Sequence, residues 1–351
     1  AWKKAFSSDA LKKYRSMAEY RTDQLVDILR RESKQGKPLD LSRWVALWSM
    51  DLMGDMSFSG GFETMAAGKD TEGWIDVVMP TFLVIGQVPW LRDLIALLPQ
   101  PGPIFAGRKV RETKAQSDGV KEDILGIIQD TSSGGPALSE KEATADAALM
   151  VMAGSDTVSQ GSTALFRHIV GNITVQKRLR EEVRNAFEGQ DIDAATLARL
   201  PYVDACVQEA LRLTPPVPAG PPRFTKTGNQ ILGKYIPPGT TVACPFYTLH
   251  HDSQNFVKPN QFIPERWLSD HNGNDKFEPH NTEAFIPFSY GPGVCIGKPV
   301  ALHNMKLLIA KLLLSFDLEF SNDFDIAKFD ASWKEHNLWL HDPLMVQVRA
   351  L

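Results

Sequence analysis

The sequence predicts a mainly helical protein with a minor β part, and three observations carry that expectation. From about Ser8 to Leu213 apolar residues recur three and four positions apart, as in Leu25, Val26, Ile28 and Leu29, the spacing of one buried helix face. After Leu213 the stretch "TPPVPAGPPRFTKTGNQILGKYIPPGTTVACPFY" places proline and glycine between short β-branched runs, which suits a small, irregular sheet. Helical spacing then returns in "CIGKPVALHNMKLLIAKLLLSF".

Taken in order, the chain opens on "AWKKAFSSDALKKYRSM", without a signal-peptide pattern and in the manner of the inside of a domain. The longest charge-free apolar stretch, Val77 to Leu91, is broken by Pro80, Gln87 and Pro89 and is too short to span a bilayer. In "TSSGGPALSEKEATADAALMVMAGSD" a Ser/Gly/Pro loop leads into Ser139 with Glu142 three residues on, a capping signal that predicts a long helix from about Ser139 to Val170. "YIPPGTTV" reads as a hairpin-like turn, residues 268 to 287 are polar and irregular, and Pro299 is tolerable because it lies in the first turn of the last helix.

The bulk numbers bound the function. With 351 residues, 43% hydrophobic content and a net charge of -4, the chain has material for a large core, and its evenly spread acidity gives no basis for binding nucleic acid. Cys206, Cys244 and Cys295 are odd in number and contain no CxxC pair, which argues against a disulfide framework and against structural zinc and predicts reduced thiols facing a cytosolic environment. His250, His251 and His303 have no metal-ligand spacing and read as structural or exposed.

One stretch, "FSYGPGVCIGKPVA" at residues 288 to 301, admits several chemistries. A phosphate-binding loop needs GxxxxGK and then Ser or Thr, but Gly291 to Gly297 is one residue too long and Pro299 follows Lys298. A dinucleotide turn needs GxGxxG inside a βαβ unit, whereas Gly291, Gly293 and Gly297 give GxGxxxG after a helical region. A third reading uses Cys295, which stands just before a helix start where backbone N–H groups and the helix dipole favour a thiolate able to bind a soft metal, such as the iron of a haem. The three glycines would let this loop approach a flat cofactor. Against these stands a buried cysteine in a glycine-rich turn.

Other stretches bear on that choice. "FSYGPGVCIG" resembles the haem-binding loop FxxGxRxCxG of the cytochrome P450 family, with Phe288, Gly291, Cys295 and Gly297 on pattern and Gly293 where the family carries a basic residue. "QEALR" resembles its ExxR helix through Glu209 and Arg212, and "FIPERW" supplies Arg266, which in the family closes a Glu–Arg–Arg network. Taken alone, the ExxR pair reads as an exposed helix salt bridge. "AGSDTVS" is similar to the family's oxygen-activation motif, and without context it reads as a helix crossing or kink. At this spacing the Thr157 hydroxyl can bond back to the carbonyl of Ala153, and Ala153 and Gly154 leave room for O2.

The resemblance covers the chain from about Trp2 to its end and is to the eukaryotic, fungal-like microsomal type. It implies a helical prism holding haem b between the long helix and the cysteine loop, in one haem-thiolate domain over residues 1–351 that lacks its amino-terminal part. By the same comparison "AWKKAFSSDALKKY" resembles the end of the family's third major helix, which implies that the membrane anchor, the first sheet strands and the helix carrying further propionate contacts lie upstream of residue 1, and Trp2 is not taken for the family's haem-contacting tryptophan. Cys295 would be the axial thiolate, whose electron donation favours O–O cleavage. Asp156 and Thr157 are the candidates for proton delivery, the carboxylate reaching toward solvent. Arg223 in "PPRFT" is the candidate for a haem propionate, and otherwise a surface arginine.

The resemblance further implies a monooxygenase that inserts one atom of O2 into a lipophilic substrate, with electrons from NADPH through a reductase, at the cytosolic face of the endoplasmic reticulum. A haem-thiolate isomerase or dehydratase, which would not need Asp156 and Thr157, and a non-catalytic fragment unable to retain haem are the alternatives. The substrate is expected over the haem, bounded by Met150 to Ala153, "VPAGPP" and the carboxy-terminal "HNLWLHDPL". Lys298, Lys306 and Lys311 are candidates for a basic patch that receives the reductase, or else a solvated face. Val77 to Leu98 reads as a core helix pair or as a membrane-dipping segment.

Overall fold

The capping signal at Ser139 is realised in a computed structural model that describes residues 2–71, 73–75, 107–108, 110–111, 123–129, 138–187, 189–268 and 277–351. Ser139 Oγ accepts from the Glu142 N–H while the Glu142 carboxylate accepts from the Ser139 N–H at 2.8 Å, and the helix they start runs Glu140–Val170. This central helix is α3. Before it come α1 (Ser8–Ser33) and α2 (Leu41–Phe58), and after it α4 (Ile173–Phe187), α5 (Pro201–Leu213) and α6 (Lys298–Ser315). Val77 to Leu98, with its choice between core and membrane, lies outside the described residues. Among those described, no helix is long and apolar enough to cross a membrane.

The central helix packs most extensively on α2, where Ser49 Oγ donates to the Ser155 carbonyl at 2.7 Å. Close approach here depends on Gly154, where a Cβ would lie 2.4 Å from the sulfur of Met53. That glycine therefore serves a helix crossing. Trp48 is fully buried between α1 and α2, with its indole N–H on Thr22 Oγ1 at 3.2 Å.

The β part is small and divided. Strand β1 (Leu39–Asp40) and β6 (Phe316–Phe320) flank β9 (Met345–Ala350), and three two-stranded pairs lie apart from this sheet. Strand β2 (Arg223–Phe224) pairs with β5 (Thr241–Val242), β3 (Asn229–Ile231) with β4 (Lys234–Ile236), and β7 (Lys334–His336) with β8 (Leu338–Leu340). The hairpin expected at "YIPPGTTV" is not one, because the strands on either side of it pair elsewhere. The tight hairpin turn is at Leu232 and Gly233, both with positive φ, as a two-residue connection requires.

What holds the irregular segments is a buried ion network. Glu209 and Arg212 on α5 and Arg266 are all inaccessible to solvent. Glu209 accepts from Arg212 at 2.8 and 2.9 Å, from Arg266 Nε at 3.1 Å, from the Ile263 N–H at 3.0 Å and from the Trp267 indole at 2.8 Å. Burial pushes its carboxyl pKa up, but the Arg212 bonds and the two guanidinium charges outweigh it and hold Glu209 below the usual carboxylate value. The exposed helix pair that the ExxR spacing alone implies is thus excluded.

The network reaches the cysteine loop through His250. Arg212 donates to the carbonyls of His250, Pro259 and Gln261. The His250 ring lies between the Arg212 carbonyl at 3.1 Å and the Ile286 N–H at 3.2 Å. Its Nε2 accepts and its Nδ1 therefore carries the proton; burial lowers its pKa to about 3, so the ring stays neutral. His250 is structural, as its spacing implied, and it joins helix α5 to the segment that leads into Phe288. Glu209→Gln keeps the shape and strands two buried guanidiniums, so urea denaturation should show a loss of about 3–5 kcal/mol. A loss below about 1 kcal/mol, the worth of a surface pair, would contradict this.

Candidate active site

The sequence "FSYGPGVCIG" folds back on itself: the Cys295 N–H donates to the Phe288 carbonyl at 2.9 Å and the Val294 N–H to the Gly291 carbonyl at 3.1 Å. Gly291 has φ of +73° with open space around it. It is required by the backbone rather than by a neighbour. Gly297 caps α6 without a side-chain bond, and Pro299 occupies the first turn as expected. The N–H groups of Gly297 and Lys298 point at the Cys295 sulfur. Their pull is weaker than partial desolvation of the sulfur, so the thiol pKa is raised rather than lowered. The two N–H groups favour the thiolate, as the sequence implies, without outweighing desolvation.

Cys295 lines a cavity of about 490 Å³, together with Phe288, Gly293 and Gly297 from its loop and Ala153 and Thr157 from α3. This volume is in the range of cofactor and ligand sites. Thr157 Oγ1 donates to the Ala153 carbonyl at 2.7 Å, the back-bond its spacing implied. Met53, Met56, Leu149, Met150, Val217 and Pro221 make the remaining wall largely apolar, and Trp2 also lines it. One expected border is corrected. The "HNLWLHDPL" segment does not line this cavity, since Leu340, His341 and Pro343 face a separate one of about 230 Å³. Gly154 lines the cavity beside Ala153, and Met53 packs against it there.

Asp156 belongs to the second cavity, with Arg43, Ser159, Gln160 and His341. Its carboxylate does not reach toward solvent as expected. Oδ2 is buried without a hydrogen-bond partner, and desolvation lifts the carboxyl pKa to about 7. Asp156 and Thr157 are adjacent in sequence yet open on different cavities, so α3 stands between them.

Arg223, on β2, lies at the rim of the main cavity. Its Nη2 is 3.3 Å from Ser289 Oγ and would be 2.6 Å from a Cβ on Gly293. The basic patch expected from Lys298, Lys306 and Lys311 does not form as a free face. Lys306 is buried and paired with Asp204 at 2.6 Å, and Lys311 is paired with Asp23. Lys298 alone is exposed, with its ammonium 5.7 Å from the Phe288 ring centroid. Sequence reasoning missed His250, which lies in no motif, and Trp267, which ends "FIPERW" but was not singled out there.

The residues present fit a haem. Among the described residues no group of three or more His, Cys, Asp and Glu could hold a metal ion. Iron here would have one protein ligand, Cys295, and a macrocycle supplying the others. A family model described as Cytochrome P450 matches residues 2–348. This chain belongs to the cytochrome P450 family.

Among its relatives, Cytochrome P450 monooxygenase atr2 of Stereocaulon alpinum is 33% identical over 98% of this chain and 70% of its own length. Cytochrome P450 67 of Uromyces fabae is 31% identical over 97% and 66%. Cytochrome P450 monooxygenase aba2 of Botryotinia fuckeliana is 31% identical over 93% and 65%. The chain thus spans about two thirds of the length of these P450 relatives, and it is an enzyme of the oxygenase class.

The Asp156 environment makes a pH prediction. The folded group keeps its proton to about pH 7, the unfolded one only to about 3.8. Between those values the folded state binds more protons, so this group's contribution to stability falls as pH rises through that window. Asp156→Asn does not titrate. In urea it should be more stable than wild type above pH 7, by at most about 4 kcal/mol. The difference should vanish below about pH 4, and a difference independent of pH would contradict the buried, unpaired carboxyl.

Proposed function

We propose that residues 1–351 form a single haem-thiolate domain of a monooxygenase that inserts one atom of O2 into a lipophilic organic substrate. The observation that carries this reading is that Cys295 and Thr157 line one apolar cavity. When bound, haem b supplies the activation of oxygen, and its thiolate ligand favours that chemistry. Cys295 Sγ would hold the iron, with the Gly297 and Lys298 N–H groups sharing the sulfur's negative charge. Arg223 would bind a propionate from the rim.

On the side of the central helix, Ala153 keeps the wall low and Thr157 brings a hydroxyl to it. Its proton is held on the Ala153 carbonyl, so the oxygen presents lone pairs to the cavity and would orient a water there. Asp156 stores a proton at neutral pH on the far side of the helix. The apolar lining excludes bulk water and favours an apolar substrate. The Asp156 and Thr157 pair favours oxygen insertion over isomerisation or dehydration, which consume no protons from outside.

Electrons come from NADPH through a partner reductase, and the full-length protein sits at the cytosolic face of the endoplasmic reticulum. Both statements rest on the likeness to microsomal members of the family. The test is the absorption spectrum of the reduced, carbon monoxide-bound protein in its natural full length. A red-shifted Soret band that disappears in Cys295→Ala is expected. Failure of the full-length protein to take up haem would overturn the proposal.

A further inference from the structure

Four of the ten methionines line the main cavity: Met53 and Met56 from α2, Met150 from α3 and Met305 from α6. Thioethers fill irregular apolar walls well, but their sulfur is also readily oxidised. A cavity in which O2 is reduced exposes its own lining to the reduced oxygen.

The four methionines meet the cavity differently. Met53 is 8% exposed, against 4% for Met150, 2% for Met305 and 0% for Met56. Its sulfur and methyl group lie against Gly154, where a Cβ would be 2.4 and 2.5 Å from them. Gly154 follows Ala153, whose carbonyl holds the Thr157 hydroxyl, and all three residues line the same cavity. Met53 thus brings a sulfur to within one helical turn of that hydroxyl. Met305 packs instead at Gly161, on the other side of Thr157 along the helix. Oxidation from bulk solvent would choose other positions: Met17, Met152 and Met345 are half-buried, and none of them lines the cavity.

We propose that Met53 is the site at which the protein oxidises itself, its thioether becoming the sulfoxide when O2 is reduced in the cavity without insertion into substrate. This rests on the monooxygenase reading above and adds which residue takes the oxygen when insertion fails. The step runs through hydrogen peroxide, formed from O2 by the two electrons and two protons otherwise used for insertion. A sulfur lone pair takes one peroxide oxygen as the O–O bond breaks, and the other oxygen leaves as water. Sulfur is oxidised and peroxide is reduced. The sulfoxide is a polar group in an apolar wall and cannot keep the thioether's packing against Gly154, so the modification loosens the crossing of α2 and α3 and slows the enzyme.

The test uses the haem-loaded full-length protein with NADPH, reductase and O2 but no substrate, and with catalase in solution to destroy any peroxide that leaves the cavity. Peptide mass spectrometry locates the added oxygen. Met53 should carry the sulfoxide ahead of Met17, Met152 and Met345, whereas apoprotein in dilute hydrogen peroxide should show the reverse order. Met53→Leu, a swap of similar volume, should consume oxygen for longer before its rate halves.

If another methionine is oxidised first during turnover, or none is, the proposal is overturned. Sulfoxide at Met53 only when catalase is left out also overturns it, because the oxidant then comes from the bulk. So does a Met53→Leu protein that loses its rate as fast as wild type. A haem-loaded protein that consumes no oxygen with NADPH and reductase refutes the monooxygenase reading instead.

Discussion

One buried carboxylate, Glu209, organises the part of the molecule that has no regular structure of its own. Two guanidiniums would be prohibitively costly in the interior without it, and they in turn satisfy carbonyls at His250, Val257, Pro259 and Gln261. The path from Ala243 to Phe288 contains only short helical turns among its described residues. Its backbone groups are paired instead by this network and by His250, which passes the constraint to Ile286. The cysteine loop therefore starts from a fixed point, and its sulfur comes to rest on the wall of the cavity that the central helix also lines.

The central helix acts as a partition. Its back-bonded Thr157 opens on the large apolar cavity and its neighbour Asp156 on the small polar one. Successive helix residues point about 100° apart, so an adjacent acid and alcohol reach two compartments without any break in the helix. An oxygen chemistry that consumes protons but is harmed by bulk water is served by this arrangement. In the proposed function this keeps Asp156, whose pKa burial raises to about 7, out of the substrate space.

The long elements were legible because their signals are local. The Ser139 and Glu142 box, the apolar spacing of α3 and Pro299 in the first turn of α6 each depend on residues within one or two turns. The motif residues were legible as a set, and Glu209, Arg212 and Arg266 meet in space although 57 positions separate Glu209 from Arg266. What the sequence hid was orientation and competition for space. Nothing in "AGSDT" says that Gly154 receives Met53 or that Asp156 turns inward, because both facts belong to the partner helix and to the segment from Leu340 to Pro343. Lys306 and Lys311 looked free for the same reason: their partners, Asp204 and Asp23, lie on other helices.

The N–H groups of Gly297 and Lys298 aimed at the Cys295 sulfur would share the charge of a metal-bound thiolate. That Cys295 is the sole protein ligand to haem iron is tested most directly by X-ray absorption at the iron edge of the haem-loaded protein. A single sulfur scatterer in the iron's coordination shell, replaced by a lighter atom in Cys295→Ser, is the expected result. An iron shell containing only nitrogen and oxygen in the wild-type protein would contradict it.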